Sequence, residues 1–275
     1  MSDKPYLSPT QLDMFTRCGE AYRRRYREGE VIPPGVALLK GSGFHDGAAT
    51  NMRQKIESGV DLPAGDIVDA AVAAFEAGVH GGYVLDDAEA GRGAKVVLAE
   101  AKDSLVALAE LHAAAQAPDY QPRLVEHKVR IVLPDAPRDL LGIIDLADDR
   151  GRVTDFKTTS RRKSQAEADA SVQLTTYAAA YAVATGAAPS EVRLDVLAQG
   201  KKETARQVLV SQRTEADYAA LANRLNVVNR ALDADVFVPA APGAWNCSPR
   251  WCGYWATCAL VNSERRALAE HNGDA

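Results

Sequence analysis

The stretch from Ile144 to Lys157 restricts this chain more than any other: Ile144-Asp145-Leu146-Ala147-Asp148-Asp149-Arg150-Gly151-Arg152-Val153-Thr154-Asp155-Phe156-Lys157. Asp149-Arg150-Gly151 suits a three-residue hairpin loop with the glycine in left-handed backbone. A turn there sets Asp145 roughly opposite Asp155, and directly opposed residues have Cβ atoms about 4.5–5.5 Å apart. Two carboxylates so close repel each other unless a cation lies between them, and hard oxygen ligands favour Mg²⁺ or Mn²⁺. Lys157 follows Asp155 by two residues and so shares its sheet face. An ammonium group there can orient or deprotonate an attacking water, or stabilise charge building on a phosphate. A surface hairpin with ordinary charges would carry the same letters. Ile143, Ile144, Val153 and Phe156 around them speak against a merely polar strand.

The remaining pattern predicts α/β architecture, a mixed central sheet flanked by helices. Ser8-Pro9-Thr10-Gln11 supplies a capping hydroxyl, a proline at the first helical position and a glutamine at the third. Leu12, Phe15, Tyr22 and Tyr26 then recur at helical spacing up to Gly29. Gly41-Ser42-Gly43-Phe44-His45-Asp46-Gly47 reads as a tight glycine turn. It lacks the Gly-Lys-Ser/Thr of a nucleotide loop and the dinucleotide fingerprint, so neither an ATP motor nor a nicotinamide cofactor is expected. From about 47 to 117 the chain is alanine-rich and predicts a helical lobe without chemistry of its own. Strands are predicted over Leu124–Val132, Leu140–Leu146, Arg152–Thr158, Val192–Leu197 and Ala205–Val210, with helices over about Ala166–Thr185 and Thr214–Leu232. The organisation is one domain: helix and turn (1–46), lobe (47–118), core (119–232) and cysteine-rich tail (233–275).

The 275 residues are enough for a full hydrophobic core, and 47% hydrophobic with 25% charged residues places the chain among folded, soluble proteins. No apolar run is long enough to span a membrane, and the first residues lack a signal-peptide pattern, so a cytoplasmic location is expected. A net charge of −5 argues against nonspecific coating of nucleic acid, but not against a basic groove around an acidic site. Two basic patches offer such a groove. One contains Arg17, Arg23, Arg24, Arg25 and Arg27, which a solvated helix face would equally explain; the other is Arg161, Arg162 and Lys163.

Cys247, Cys252 and Cys258 cluster beside Trp245, Trp251 and Trp255, with Cys18 far away in the first helix. Clustered thiols with one distant partner suit a shared metal centre of four sulfurs, either zinc or iron–sulfur. Buried unliganded thiols would account for one or two of the four.

The string GIIDLADDRGRVTDFKTTS, followed by QLTTYAAAY, resembles the PD-(D/E)XK nuclease superfamily, in particular the RecB-like branch of CRISPR-associated iron–sulfur exonucleases, the AddB nuclease domain and phage relatives. The resemblance implies a restriction-endonuclease-like core and Mg²⁺- or Mn²⁺-dependent hydrolysis of DNA, single-stranded or with free ends. It places metal ligation on Asp145, Asp155 and the Phe156 carbonyl, and the lysine's role on Lys157. Gln173 and Tyr177 match the Gln-x-x-x-Tyr motif and share a helix face at i and i+4. His45 matches a further metal ligand, and Glu126 offers another acidic group, or is simply an exposed strand residue. Arg23, Arg24, Arg161, Arg162 and Lys163 would track phosphates. Cys18, Cys247, Cys252 and Cys258 match a [4Fe–4S] set, although four residues between the first two C-terminal cysteines, where two are common, keep Zn²⁺ open. The resemblance also admits a non-catalytic DNA-binding or assembly subunit working with recombination or CRISPR-adaptation proteins.

Overall fold

The computed structural model describes residues 4–200, 204–241 and 243–261; the end of the expected cysteine-rich tail, 262–275, lies outside them. Six strands form one mixed sheet. They are β1 (Tyr6–Leu7), β2 (Pro122–Ile131), β3 (Asp139–Asp148), β4 (Arg152–Thr159), β5 (Glu191–Gln199) and β6 (Thr204–Ser211). β3 carries antiparallel β2 along one edge, from Leu124↔Ala147 to Ile131↔Leu140. Its other edge is divided. β1 runs parallel to its start through Leu7↔Leu140, and β4 pairs antiparallel with its end through Leu146↔Thr154 and Ala147↔Val153. β4 and β5 are parallel over their whole length, and β6 closes the sheet antiparallel to β5. The buried, nearly continuous apolar run of β5 is what a parallel strand covered on both faces requires.

Helices cover the sheet. α1 (Pro9–Arg17) begins with the expected capping box, in which Ser8 Oγ accepts from the Gln11 backbone N–H and Gln11 Oε1 accepts from that of Ser8. It stops at Cys18, whose backbone is extended, and α2 (Gly19–Tyr22) resumes into a π-helical turn over Arg23–Arg27. α3 (Val36–Ser58), α4 (Ala64–His80), α5 (Asp87–Arg92) and α6 (Ala94–Leu111) build the alanine-rich lobe, whose core continues into Leu146, Phe156 and Leu197 of the sheet. α8 (Val172–Thr185) packs Leu174, Tyr177 and Ala178 against Ile144, Val153 and Val196. α9 (Glu215–Asp233) packs with α1 around Leu12, Leu140, Leu221 and Leu225. No described helix is long and apolar enough to cross a membrane.

Three local expectations are corrected. The Gly41–Gly47 segment is not a turn but the middle of α3. Its glycines serve close helix packing: a Cβ at Gly43 would stand 2.8 Å from the Ala71 carbonyl oxygen, and one at Gly47 2.7 Å from Ala71 Cβ. The single helix over Ala166–Thr185 is two, α7 (Gln165–Asp169) and α8, because Ser171 caps a new start by accepting from the Leu174 N–H. β1 was not expected; a two-residue strand carries too little periodicity to register.

Candidate active site

β3 and β4 part company after Leu146↔Thr154, and at the next step of that register Asp145 faces Asp155. The splayed strands free the Phe156 backbone N–H, which donates to Asp145 Oδ2 at 3.1 Å. Asp145 is buried and Asp155 wholly so. Lys157 Nζ lies 2.9 Å from Asp155 Oδ1 and donates to Gln173 Oε1 at 3.0 Å. Gln173 Nε2 donates to the Tyr177 hydroxyl at 2.7 Å, and that hydroxyl donates to Asp145 Oδ1 at 3.0 Å. One face of α8 thus links the ammonium group to the first carboxylate. Ser171 fixes where that helix begins, and so which residues meet the sheet.

His45 reaches the same carboxylate from α3, with Nδ1 3.4 Å from Asp145 Oδ2 and 3.8 Å from Glu126 Oε1. Glu126 sits in β2 between Val125↔Leu146 and His127↔Ile144, opposite Asp145. Its φ of 46° lies in left-handed backbone, which a glutamate adopts only at a cost of about 1 kcal/mol or more. His45, Glu126 and Asp145 each offer a ligand atom, and these atoms lie within 4.8 Å of one another.

Burial pushes the Asp155 carboxyl up to about 7; Lys157 pulls it down less than that, and the like charge of Asp145 adds to the rise. Both Asp155 oxygens are buried, and neither accepts a hydrogen bond of good geometry. Burial disfavours protonated His45, yet the neighbouring Glu126 carboxylate and the fields of Asp145 and Asp155 outweigh it and hold its pKa above the ordinary value. Lys157 behaves alike: burial opposes its charge, and Asp155 with Asp145 more than restores it. The pocket therefore draws in positive charge. A fully buried carboxylate beside a second carboxylate, a glutamate and an imidazole is a donor set suited to a hard divalent cation.

The basic residues are placed differently from one another. Arg24 does not face a phosphate groove, which corrects the expectation: its guanidinium is buried, bonds bidentately to Glu30 at 2.6 Å and to Thr257 Oγ1 at 2.6 Å, and stacks on Tyr254. Arg23 pairs with Glu20 at 2.8 Å and also with Glu28. Arg161 and Lys163 share Glu167, whereas Arg162 is exposed; all three follow β4 a few residues beyond Lys157. Cys18, Cys247, Cys252 and Cys258 line one pocket between α2 and the tail.

One buried group escaped the sequence reading. Asp195 of β5 accepts from Gln116 Nε2 at 2.8 Å, from the Tyr120 hydroxyl at 2.7 Å and from Arg206 at 2.6 Å. His112 and Tyr120 meet the Phe156 ring edge-on at 5.4 and 5.8 Å. The end of the lobe thus buttresses the residue between Asp155 and Lys157. An aspartate inside an apolar strand was the available signal, since a buried charge demands partners.

A mixed sheet between helices, bearing an aspartate on one strand and Asp-x-Lys on the antiparallel next, is the arrangement of a restriction-endonuclease-like nuclease core. The chain belongs to the PD-(D/E)XK nuclease superfamily, whose sequence profile matches residues 6–259. No curated protein matches it in sequence. Among solved structures it is similar to one described as a "putative exonuclease" from Eubacterium rectale, at 10% identity and a TM-score of 0.57, covering 95% of this chain and 91% of that one. That likeness concerns the fold. A second structure, SSO0001, aligns over 96% of this chain and 90% of its own at 13% identity, with a TM-score of 0.41.

Proposed function

We propose that this nuclease is a Mg²⁺- or Mn²⁺-dependent deoxyribonuclease, acting as an exonuclease on single strands or free DNA ends. The observation that carries the reading is Asp155, a carboxylate sealed from water and set against Asp145, with the Lys157 ammonium group 2.9 Å away. Such burial is costly without a cation to complete it. Asp145, Asp155, His45 and the Phe156 carbonyl would hold the ion, with Glu126 as a further oxygen donor. The bound ion would supply Lewis acidity, making water a better nucleophile at neutral pH and offsetting charge on the phosphate. Lys157 orients the attacking water or carries charge developing on the phosphoryl oxygens. Gln173 and Tyr177 hold Lys157 and Asp145 in register through the circuit of bonds described above, which fixes the geometry of attack. Arg161, Arg162 and Lys163, just past β4, and Arg23 at the start of the π-helical turn are the groups for the phosphate backbone, which makes affinity fall with salt.

The four cysteines, which line one pocket between α2 and the tail, support a second metal centre, which we assign to a [4Fe–4S] cluster, with zinc as the alternative. Such a cluster would tie α2 to the tail and contribute to folding rather than to hydrolysis.

The deciding experiment offers end-labelled linear and circular single-stranded DNA to anaerobically purified protein with Mn²⁺. Linear strands should shorten while circles persist, and EDTA should stop the reaction. Cut circles would replace the exonuclease reading with an endonuclease. No cleavage of either substrate by metal-loaded protein would remove the enzyme reading.

A further inference from the structure

Two tryptophans stand in the open at one end of the molecule. Trp245 and Trp251 are 58% and 57% exposed, and their rings meet edge to face at 5.7 Å. Each carries an arginine: the Arg17 guanidinium lies 5.4 Å from the Trp245 ring centre and Arg250 lies 5.0 Å from that of Trp251. A single exposed aromatic ring needs no explanation, but two in contact, each faced by a cation, form a patch. The patch is held in place. Asn246 Nδ2 donates to the Arg17 carbonyl at 3.3 Å, tying Trp245 to the end of α1, and the Trp251 N–H donates to the Ser248 carbonyl at 3.2 Å. The rings therefore do not have to be ordered when something stacks on them.

The surroundings indicate what stacks there. From Arg17 a groove continues between the end of α1 and α9, with Thr16, Asn223, Arg224, Val227 and Val238 along it. Arg224 is exposed and Val227 and Val238 are 55% and 68% exposed, so the groove sets a cation beside open apolar side chains. Asp13 is the acidic neighbour, 3.0 Å from Arg17 in a pair open to solvent and weak for that reason. Phe15, which lines the groove, and Leu12 belong to the apolar cluster that includes Val172, and Gln173 is the next residue.

We infer that Trp245 and Trp251, with Arg17, Arg250 and Arg224, form a stacking platform for the bases of single-stranded DNA, outside the candidate active site. A duplex hides the faces of its bases; a single strand offers them, with phosphates at a spacing arginines can follow. The groove continues the strand's path from Arg17 along α9. The inference rests on the nuclease reading for its choice of DNA, but it makes its own demand on binding in the absence of cleavage.

The test uses full-length protein in EDTA, in a Trp255→Phe background so that only the platform rings fluoresce, titrated with a thymidine oligonucleotide of about 15 nucleotides. Stacking should quench the tryptophan emission, and affinity should fall as salt rises. Trp245→Ala and Trp251→Ala should each weaken binding about tenfold, within the range for losing one stacked base, and phenylalanine at either position should recover most of the loss. Arg224→Gln should lower the salt dependence with the quenching intact. A hairpin duplex should compete poorly. Wild-type emission unchanged at saturating oligonucleotide would overturn the inference whether or not the alanine variants fold. So would full affinity in a folded double alanine variant, or sedimentation showing the rings buried between two copies of the chain that the oligonucleotide does not separate. Mn²⁺-dependent cleavage without quenching would sink the platform and spare the nuclease reading; quenching without cleavage would do the reverse.

Discussion

Replacing Gly47 by alanine examines the helix crossing that carries His45. In an open helical position the change would gain about 1 kcal/mol, because alanine loses less backbone freedom than glycine. Here the new Cβ would stand 2.7 Å from Ala71 Cβ and 2.9 Å from the Ile67 carbonyl oxygen. One obstacle is backbone, so α3 and α4 must separate, and overpacking of this kind costs about 1–3 kcal/mol. With a backbone obstacle the upper part of that range applies, leaving a net loss of about 1–2 kcal/mol. Gly65→Ala is the control, since nothing lies within 4 Å of its would-be Cβ in the first turn of α4; it should gain about 0.5 kcal/mol. Urea midpoints at unchanged slope report both effects on metal-free protein. Because His45 is two residues from Gly47 on α3, Gly47→Ala should also weaken Mn²⁺ binding, which Gly65→Ala should not. A midpoint that rises in Gly47→Ala as it does in Gly65→Ala would refute the tight crossing.

Asp145→Ala, Asp155→Ala and Lys157→Ala should each lose most cleavage while remaining folded, and the two aspartate changes should weaken Mn²⁺ binding by calorimetry far more than Lys157→Ala; a fully active Asp155→Ala enzyme would end the site assignment. Tyr177→Phe removes one donor to Asp145 and should lower the single-turnover rate less than any of those three, so an equal loss would give Tyr177 a larger role than positioning. Burial holds His112 below its ordinary pKa of about 6.5, so the neutral ring supports the fold above that pH and its contribution is lost as pH falls through the lowered value. Thermal midpoints should fall over that acid range and do so less steeply in His112→Gln, and an identical slope in the variant would assign the acid sensitivity elsewhere. Protein purified without oxygen should be brown, and Cys18→Ser should bleach it and lower its stability; colourless protein with one zinc would move the assignment to zinc.

The hairpin was legible because its periodicity and its turn agree: Gly151 does take left-handed backbone, with φ at 74°, and the register places Asp145 against Asp155. Gln173 and Tyr177 stood out only through the family resemblance; helical spacing then put them on one face. The α3 segment was misread because glycine serves two purposes, permitting a turn and permitting close approach, and only the neighbouring helix decides between them. Ala71 stands far from Gly43 and Gly47 in sequence, and nothing local announces it. Arg24 was misjudged likewise, since Tyr254 and Thr257 reach it from a distant segment to join the nearby Glu30. Glu126 had only composition in its favour; its aim depends on a backbone conformation that no residue type signals.

The contacts between α2 and the tail set an order of events during synthesis. The Gly19 N–H donates to the Val238 carbonyl at 2.7 Å, a Cβ on Gly19 would collide with that same backbone, and Arg24 finds its partners at Tyr254 and Thr257. The proposed ligands of the ion and their partners are made earlier, between His45 and Tyr177. A ribosome therefore releases the hydrolytic centre before the helices near Cys18 have anything to close against. Those helices wait, with an arginine and an aromatic face uncovered, until Val238, Tyr254 and Thr257 emerge. A chain stalled short of Val238 would carry an assembled centre and an unsealed flank, a distinguishable target for quality control.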